Sequence, residues 1–263
     1  MSDTALRLCI FAGALILFSA LEALFPRRKR NLPRQTRWLT HLGITVIDTV
    51  AVRILGPLTA IAVALWASSK GIGLFNMTGW PLWVEVALAF IVLDFAIYLQ
   101  HVISHHVPLF WRFHKVHHTD RDLDASSAVR FHPVEIILSM LYKCCVVVII
   151  GPAVLAVFIF EIVLNASAIF NHANLKLPSW LDKLFRIVIV TPDMHRVHHS
   201  VVTNETNSNF GFNLSIWDKL CRTYKAQPEA GHGGMTVGLS EHQTEAPSKL
   251  FWSLKLPFAK SPQ

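Results

Sequence analysis

Nine of the fourteen histidines fall into a pattern. His101 and His105 are four residues apart. His114, His117 and His118 follow at spacings of three and four, and His195, His198 and His199 repeat that spacing. His172 stands alone in "IFNHANL". Residues three and four apart share one face of a helix, so each cluster aims its imidazoles in one direction. A metal ion needs this from a helix: several ligands converging without backbone strain. Nine imidazoles are too many for one ion, because tetrahedral sites take four ligands and octahedral sites six. Two ions sharing the set is the expectation.

The residue types narrow the chemistry. No cysteine lies in the clusters, which argues against a structural zinc knuckle. The glutamate that serves as base in HExxH zinc proteases is also missing. All-imidazole ligation suits iron, zinc, copper and nickel alike. Clustered histidines can also sense pH, but a sensor does not require the repeated spacing. Asp94, Tyr98, His101 and His105 form a continuous helical stripe. Asp94 is therefore expected either to hold a ligand's ring N–H or to serve helix packing. Asp193 and Asp120 are the other carboxylates close to the clusters. His41, His232 and His242 read as ordinary, and His106 points off its neighbours' face. His132, in "RFHP", is a candidate substrate contact.

The elements that position these residues are membrane helices. Hydrophobic residues make up 52% of the 263 residues and charged residues 16%, well short of the quarter usual in soluble domains. The first apolar run, Leu8 to Phe25, is followed at once by the basic stretch "PRRKRNLPRQTR". That order contradicts a signal peptide and predicts a retained helix ending in the cytoplasm. The basic stretch is then a membrane flank touching anionic lipid, and no nucleic-acid partner is expected. A second run, about 39–66, carries Asp48 and Arg53 and should kink at Gly56-Pro57. "ASSKGIGLFNMTGW" then forms a short outer loop. A third run ends at Leu99. The stretch 136–170 breaks at Gly151-Pro152. A hairpin there returns the chain to the same face, as a site shared by the two clusters demands. The four cysteines form no CxxC pair and read as small buried hydrophobes.

The segments "DFAIYLQHVISHHVPLFWRFHKVHH" and "HANLKLPSWLDKLFRIVIVTPDMHRVHHSVVTNETNSNFGFNLSIWDKL" resemble the membrane-bound fatty acid hydroxylase and sterol desaturase superfamily. The resemblance covers about residues 82–224. It implies a non-haem centre of two iron ions, with zinc as a substitute, that uses O2 to hydroxylate or desaturate a lipid C–H bond. The lipid would be sterol-like, fatty acyl or alkyl-ether. His101, His105, His114, His117, His118, His172, His195, His198 and His199 are then the ligand set. Where many members carry a further histidine pair, this chain has Ser167 and Asn171. Asn171 either holds a bridging water or contributes nothing.

The expected architecture is all-α: polytopic membrane helices with a cytoplasmic helical metal-binding cap. Residues 1–80 hold two transmembrane helices (8–25 and 39–66) and the basic loop 26–38. Residues 81–225 form the hydroxylase-like domain, with a helix at 81–99, the hairpin at 136–170 and histidine clusters at 101–118 and 172–199. In it, "TNETNSNFGFNLSIWDKL" is expected to close the metal-side domain. Residues 226–263 are a tail, either on the membrane surface or frayed. The location is a bacterial cell membrane, with the clusters facing the cytoplasm. No haem-attachment motif, GxGxxG loop or cysteine cluster is present, so electrons should come from a separate donor protein docked on basic surface such as "KLCRTYK". The rival reading is a membrane metal transporter, sensor or zinc protein without oxygenase activity.

Overall fold

The structure, a computed structural model, describes residues 3–56 and 58–259, with side chains from Ala5. It is built of helices: α1 (Asp3–Leu24), α2 (Arg34–Ile54), α3 (Ala60–Lys70), α4 (Leu82–His106), α5 (Pro108–His118), α6 (Pro133–Ile150), α7 (Val154–His172), α8 (Ser179–Phe185) and α9 (Pro192–His198). Among the described residues, five segments are long and apolar enough to cross a membrane: Ala5–Leu24, Ala60–Met77, Leu82–His106, Pro133–Ile150 and Val154–His172. The chain is a multi-pass membrane protein. Above one end of the helices sits a helical cap made from 26–38, 107–132 and 173–259.

Local sequence sets the boundaries. Proline opens α5, α6 and α9 at the first helical positions, where its missing N–H goes unused. Thr59 caps α3 through its side chain, and Thr191 caps α9. The hairpin expected over 136–170 is α6 and α7, whose 18 and 19 residues exceed the roughly 15 per arm suggested by the apolar run. Gly151 turns it with a φ of 59°. Gly73, at φ 99°, packs backbone to backbone against Gly151, and a Cβ on either would collide with the other. The outer loop is thereby pinned to the hairpin turn.

Apolar lipid gives helices little hydrophobic reason to associate, so close approach of small side chains does the work. Ala60, Val63, Ala64 and Ala67 form one buried stripe on α3. Ala60, Val63 and Ala64 belong to a core with Leu93, Ile97, Val147 and Phe160. Outer faces carry large apolar residues such as Leu17, Trp83 and Ile149. The cysteines follow the same logic and correct the expectation. Cys144 is buried, but Cys9, Cys145 and Cys221 are exposed, and all four are free.

Three further expectations change. The run at 39–66 is two helices separated by residues 55–59; Gly56 has φ 66°, and Pro57 lies outside the described residues. The third helix passes Leu99 and reaches His106, so His101 and His105 ride on the membrane helix itself. The C-terminal stretch is not frayed within the described residues. Its helix Leu250–Lys255 packs on α2, with Leu250 against Gly43. Ser253 is fully buried beside Arg130, whose guanidinium donates to it at 3.0 Å.

The basic stretch departs most from expectation. Its arginines grip protein carboxylates and carbonyls, where lipid phosphates were expected. Arg37 is 1% exposed and reaches Asp120 and Asp124, each at 2.6 Å. Arg27 reaches Asp193 at 2.9 Å. Arg28 holds the carbonyls of His232 and Met235. Arg30 and Arg34 pair with Glu22. Glu22 is fully buried, away from the interface, and accepts from the backbone N–H groups of Ala125 and Asn174. Burial would raise Asp120, but Arg37 outweighs it and holds the carboxylate well below its usual range.

Candidate metal centre

All nine histidines singled out by spacing converge, and they do so in two groups. His101, His105, His114, His118 and His198 form one; His117, His172, His195 and His199 form the other. Within each group the candidate ligand nitrogens lie within 4.8 Å of one another. The division cuts across the motifs. Neighbouring rings on α5, His117 and His118, point into different groups, and so do His198 and His199. Each HxxHH motif therefore serves both groups.

The nitrogens are arranged for ligation. Nε2 atoms approach at 3.1 Å between His105 and His118. In the other group the separations are 3.0 Å for His117–His172, 3.1 Å for His172–His195 and 3.2 Å for His195–His199. With metal–nitrogen bonds of about 2.0–2.1 Å, ligand nitrogens stand about 3.4 Å apart on a tetrahedron and about 3.0 Å apart on an octahedron. The closest pairs fall between these two values. The buried Nε2 atoms of His101, His114 and His198 have no hydrogen-bond partner at all. Orphaned buried nitrogens aimed at a common point are what a metal would satisfy. For His117, His118, His195, His198 and His199, burial first and the neighbouring imidazoles second hold the rings well below the usual histidine range. They are neutral, as ligands must be.

Ring orientation comes largely from one segment. The Phe210 carbonyl accepts from His101 Nδ1 at 2.8 Å, and the Ser208 carbonyl from His198 Nδ1 at 2.8 Å. Asn207 Oδ1 is 3.3 Å from His105 Nδ1. Asn209 bends this segment with a φ of 53° and donates to the Met194 carbonyl. These contacts fix the tautomer that leaves Nε2 free. On α7, His172 uses the Ala168 carbonyl at 2.6 Å. Backbone carbonyls carry no residue signature, so spacing alone could not reveal them.

Glu135 was also missed. It lies one turn into α6, and its Oε1 is 2.5 Å from His114 Nδ1. Its Oε2 is buried without a partner. A carboxylate within one turn of Pro133, just after "RFHP", was the available signal.

The carboxylates and amide chosen from sequence lie elsewhere. Asp94 accepts from Asn213 at 2.8 Å, Leu214 N at 3.1 Å and Trp217 Nε1 at 2.8 Å, and meets no histidine. It docks 213–217 onto α4. Asp193 binds Arg27 and Arg196. Asn171 donates to the Phe212 carbonyl at 2.6 Å. His132 caps α6 and meets the Leu254 carbonyl at 3.2 Å. It is absent from the lining of the cavity described next.

A cavity of about 650 Å³ runs between α1, α2, α4, α6 and α7 to His101 and His114. A second of about 230 Å³ adjoins it, lined by Ile103, Phe110, Phe113, Leu138 and Tyr142. Glu135 and Gln100 border both.

Apolar crossing helices beneath a polyhistidine cap define a polytopic membrane protein with a buried histidine centre. The fatty acid hydroxylase family pattern matches residues 86–223, just over half of the chain, and the chain belongs to that family of lipid-oxidising enzymes. It is 28% identical over 227 residues to the ornithine lipid hydroxylase of Rhizobium tropici, covering 83% of this chain and 67% of that protein. It is 29% identical over 179 residues to human alkylglycerol monooxygenase, covering 66% and 37%. Mouse cholesterol 25-hydroxylase is 24% identical over 145 residues, covering 55% and 48%. The chain thus spans less than half the length of the two mammalian relatives. No solved structure matches significantly. Oxidoreductase, the enzyme class expected from the motifs, is the class of these relatives.

Proposed function

We propose that this protein is an O2-dependent lipid hydroxylase or desaturase with two iron ions, one in each histidine group. The observation that carries the reading is the division of nine histidines, eight of them buried, into groups of five and four, with the first group reaching a lipid-sized cavity. The names of the relatives favour hydroxylation. When bound, the iron ions would supply the oxidising power needed to break an unactivated C–H bond with O2. In hydroxylation one oxygen atom enters the lipid and the other leaves as water. Two electrons and two protons come from outside, the electrons from a separate donor protein.

The chain's own residues position and shield. His101 and His114 present the five-histidine group to the cavity. Glu135 fixes the His114 ring, and the 207–210 segment fixes His101, His105 and His198. Selectivity rests on holding one carbon beside this group, since a C–H bond offers no handle for acid–base chemistry. The helices exclude bulk water from the reacting end. The cap faces the cytoplasm of a bacterial membrane on this reading, where a soluble donor can reach it.

The test is metal analysis of protein produced with iron available, together with O2 uptake in lipid nanodiscs supplied with a reductant. About two iron ions per chain, and O2 uptake matched by a lipid gaining one oxygen or losing two hydrogens, is the expected result. Metal moved across vesicles without lipid turnover would sink it.

A further inference from the structure

The large cavity is not a plain hydrocarbon slot. Along α2, Thr45, Asp48, Thr49, Val52 and Arg53 succeed one another at steps of three, one, three and one. That spacing is a single helix face, and all five line the cavity. A polar stripe on a helix among lipid-facing neighbours is costly unless something polar meets it.

Among the described residues, no hydrogen bond or ion pair meets its charged ends. Asp48 is 8% exposed, and its Oδ1 is buried without a partner. Arg53 pairs with no carboxylate among the described residues, although Asp48 lies on the same face. The opposite wall behaves differently. Arg7 and Lys143 both line the cavity, and both are paired with Glu161, at 2.6 and 3.0 Å. This region therefore pairs its charges where they serve structure. A buried carboxyl group without a partner and an exposed, unpaired guanidinium share this cavity wall. An occupant carrying an ammonium and an acidic group would satisfy both, the ammonium favouring the ionised form of Asp48 that burial disfavours.

The adjoining cavity supplies the other half of the fit. Its aromatic and aliphatic lining suits a hydrocarbon chain. The two spaces share Gln100, Ser104, Glu135 and Ser139, and a 3.3 Å hydrogen bond from Ser139 to Gln100 spans α6 and α4 between them.

We propose that the large cavity takes the headgroup of a zwitterionic lipid, its ammonium toward Asp48 and its acidic group toward Arg53, with a hydrocarbon chain in the smaller cavity. This rests on the reading of the cavity as the substrate site. It deepens that reading by naming the class of lipid the site takes.

The test is lipid binding by the full chain in detergent, read by native mass spectrometry without turnover. The probes are phosphatidylethanolamine (ammonium and phosphate), phosphatidylglycerol (phosphate only) and diacylglycerol (neither). Wild type should retain phosphatidylethanolamine about tenfold over each of the others. Asp48→Asn should lower it to the phosphatidylglycerol level, and Arg53→Gln should weaken both charged lipids. Equal retention of the three probes by wild type overturns the proposal, as does an unchanged preference in Asp48→Asn. The wild-type series decides alone if a variant does not fold. A headgroup preference without lipid oxidation fells only the oxygenase reading. Oxidation without a headgroup preference fells only this inference.

Discussion

The five-histidine and four-histidine groups are built from the same motifs, yet the protein supports them differently. In the five-member group, His101, His105, His114 and His198 each have Nδ1 in contact with an oxygen from outside the motifs. This group borders the large cavity. In the four-member group only His172 is held this way. The Nδ1 atoms of His117, His195 and His199 are buried without partners. Packing sets these rings instead, as where His117 stacks on Phe131 with centroids 4.3 Å apart and planes 9° apart. Hydrogen-bonded imidazoles are stiffer and more basic ligands. On the proposed function, the group with tuned ligands and an open side would be the reactive one, and the enclosed group the anchor.

The largest effect expected is from His195→Ala. A four-member group has no spare ligand, so bound metal should fall by about half or more and activity by about 100-fold or more, above the range for supporting residues. His105→Ala removes the one half-buried member of five. It should keep most of its metal and lose about tenfold in activity. Elemental analysis beside turnover checks both, and equal metal loss in the two variants would break the contrast.

Arg37→Leu comes next, because it strands Asp120 and Asp124 as buried unpaired charges. Stability should drop by about 3–5 kcal/mol in thermal or denaturant unfolding. Arg27→Leu, whose pair is partly exposed, should cost about 1 kcal/mol or less. A Glu135→Gln variant should hold its metal and lose about tenfold in activity, since the uncharged amide polarises His114 less. Normal activity there would show that His114 needs no carboxylate.

Acid provides the mildest test. The rings of His117, His118, His195, His198 and His199 sit well below their usual range. Protons therefore compete poorly with metal, and metal content should hold down to about pH 6. Loss through the ordinary histidine range near pH 6.5, seen after gel filtration, would mean these rings titrate as if exposed.

The convergence of the histidines was legible because a helix imposes three- and four-residue spacing on any side chains that converge. Their division was not. His117 and His118 are neighbours that a helix turns about 100° apart, but the sequence does not say that His172 and His195 wait on one side and His105 and His198 on the other. Hairpin and parity also followed from sequence, because Gly151-Pro152 punctuates an apolar run too long for one span. The basic stretch misled for a definite reason. A charged flank beside an apolar helix reports on membrane sidedness, and the carboxylates that Arg27 and Arg37 grip lie 83 to 166 residues away. Of the two roles open to Asp94, the structure shows the packing one: helical spacing put it in line with His101, but 213–217 claimed its oxygens.

One consequence follows from the way adjacent rings of each HxxHH motif diverge. Neither group can be completed by either half of the chain, since His118 needs His198 and His117 needs His195. Between these halves runs the α6–α7 hairpin. It must be inserted in the membrane before the second motif can return to the first. On the proposed reading, metal binding would follow that insertion, and each ion would act as a clasp that records the hairpin's arrival.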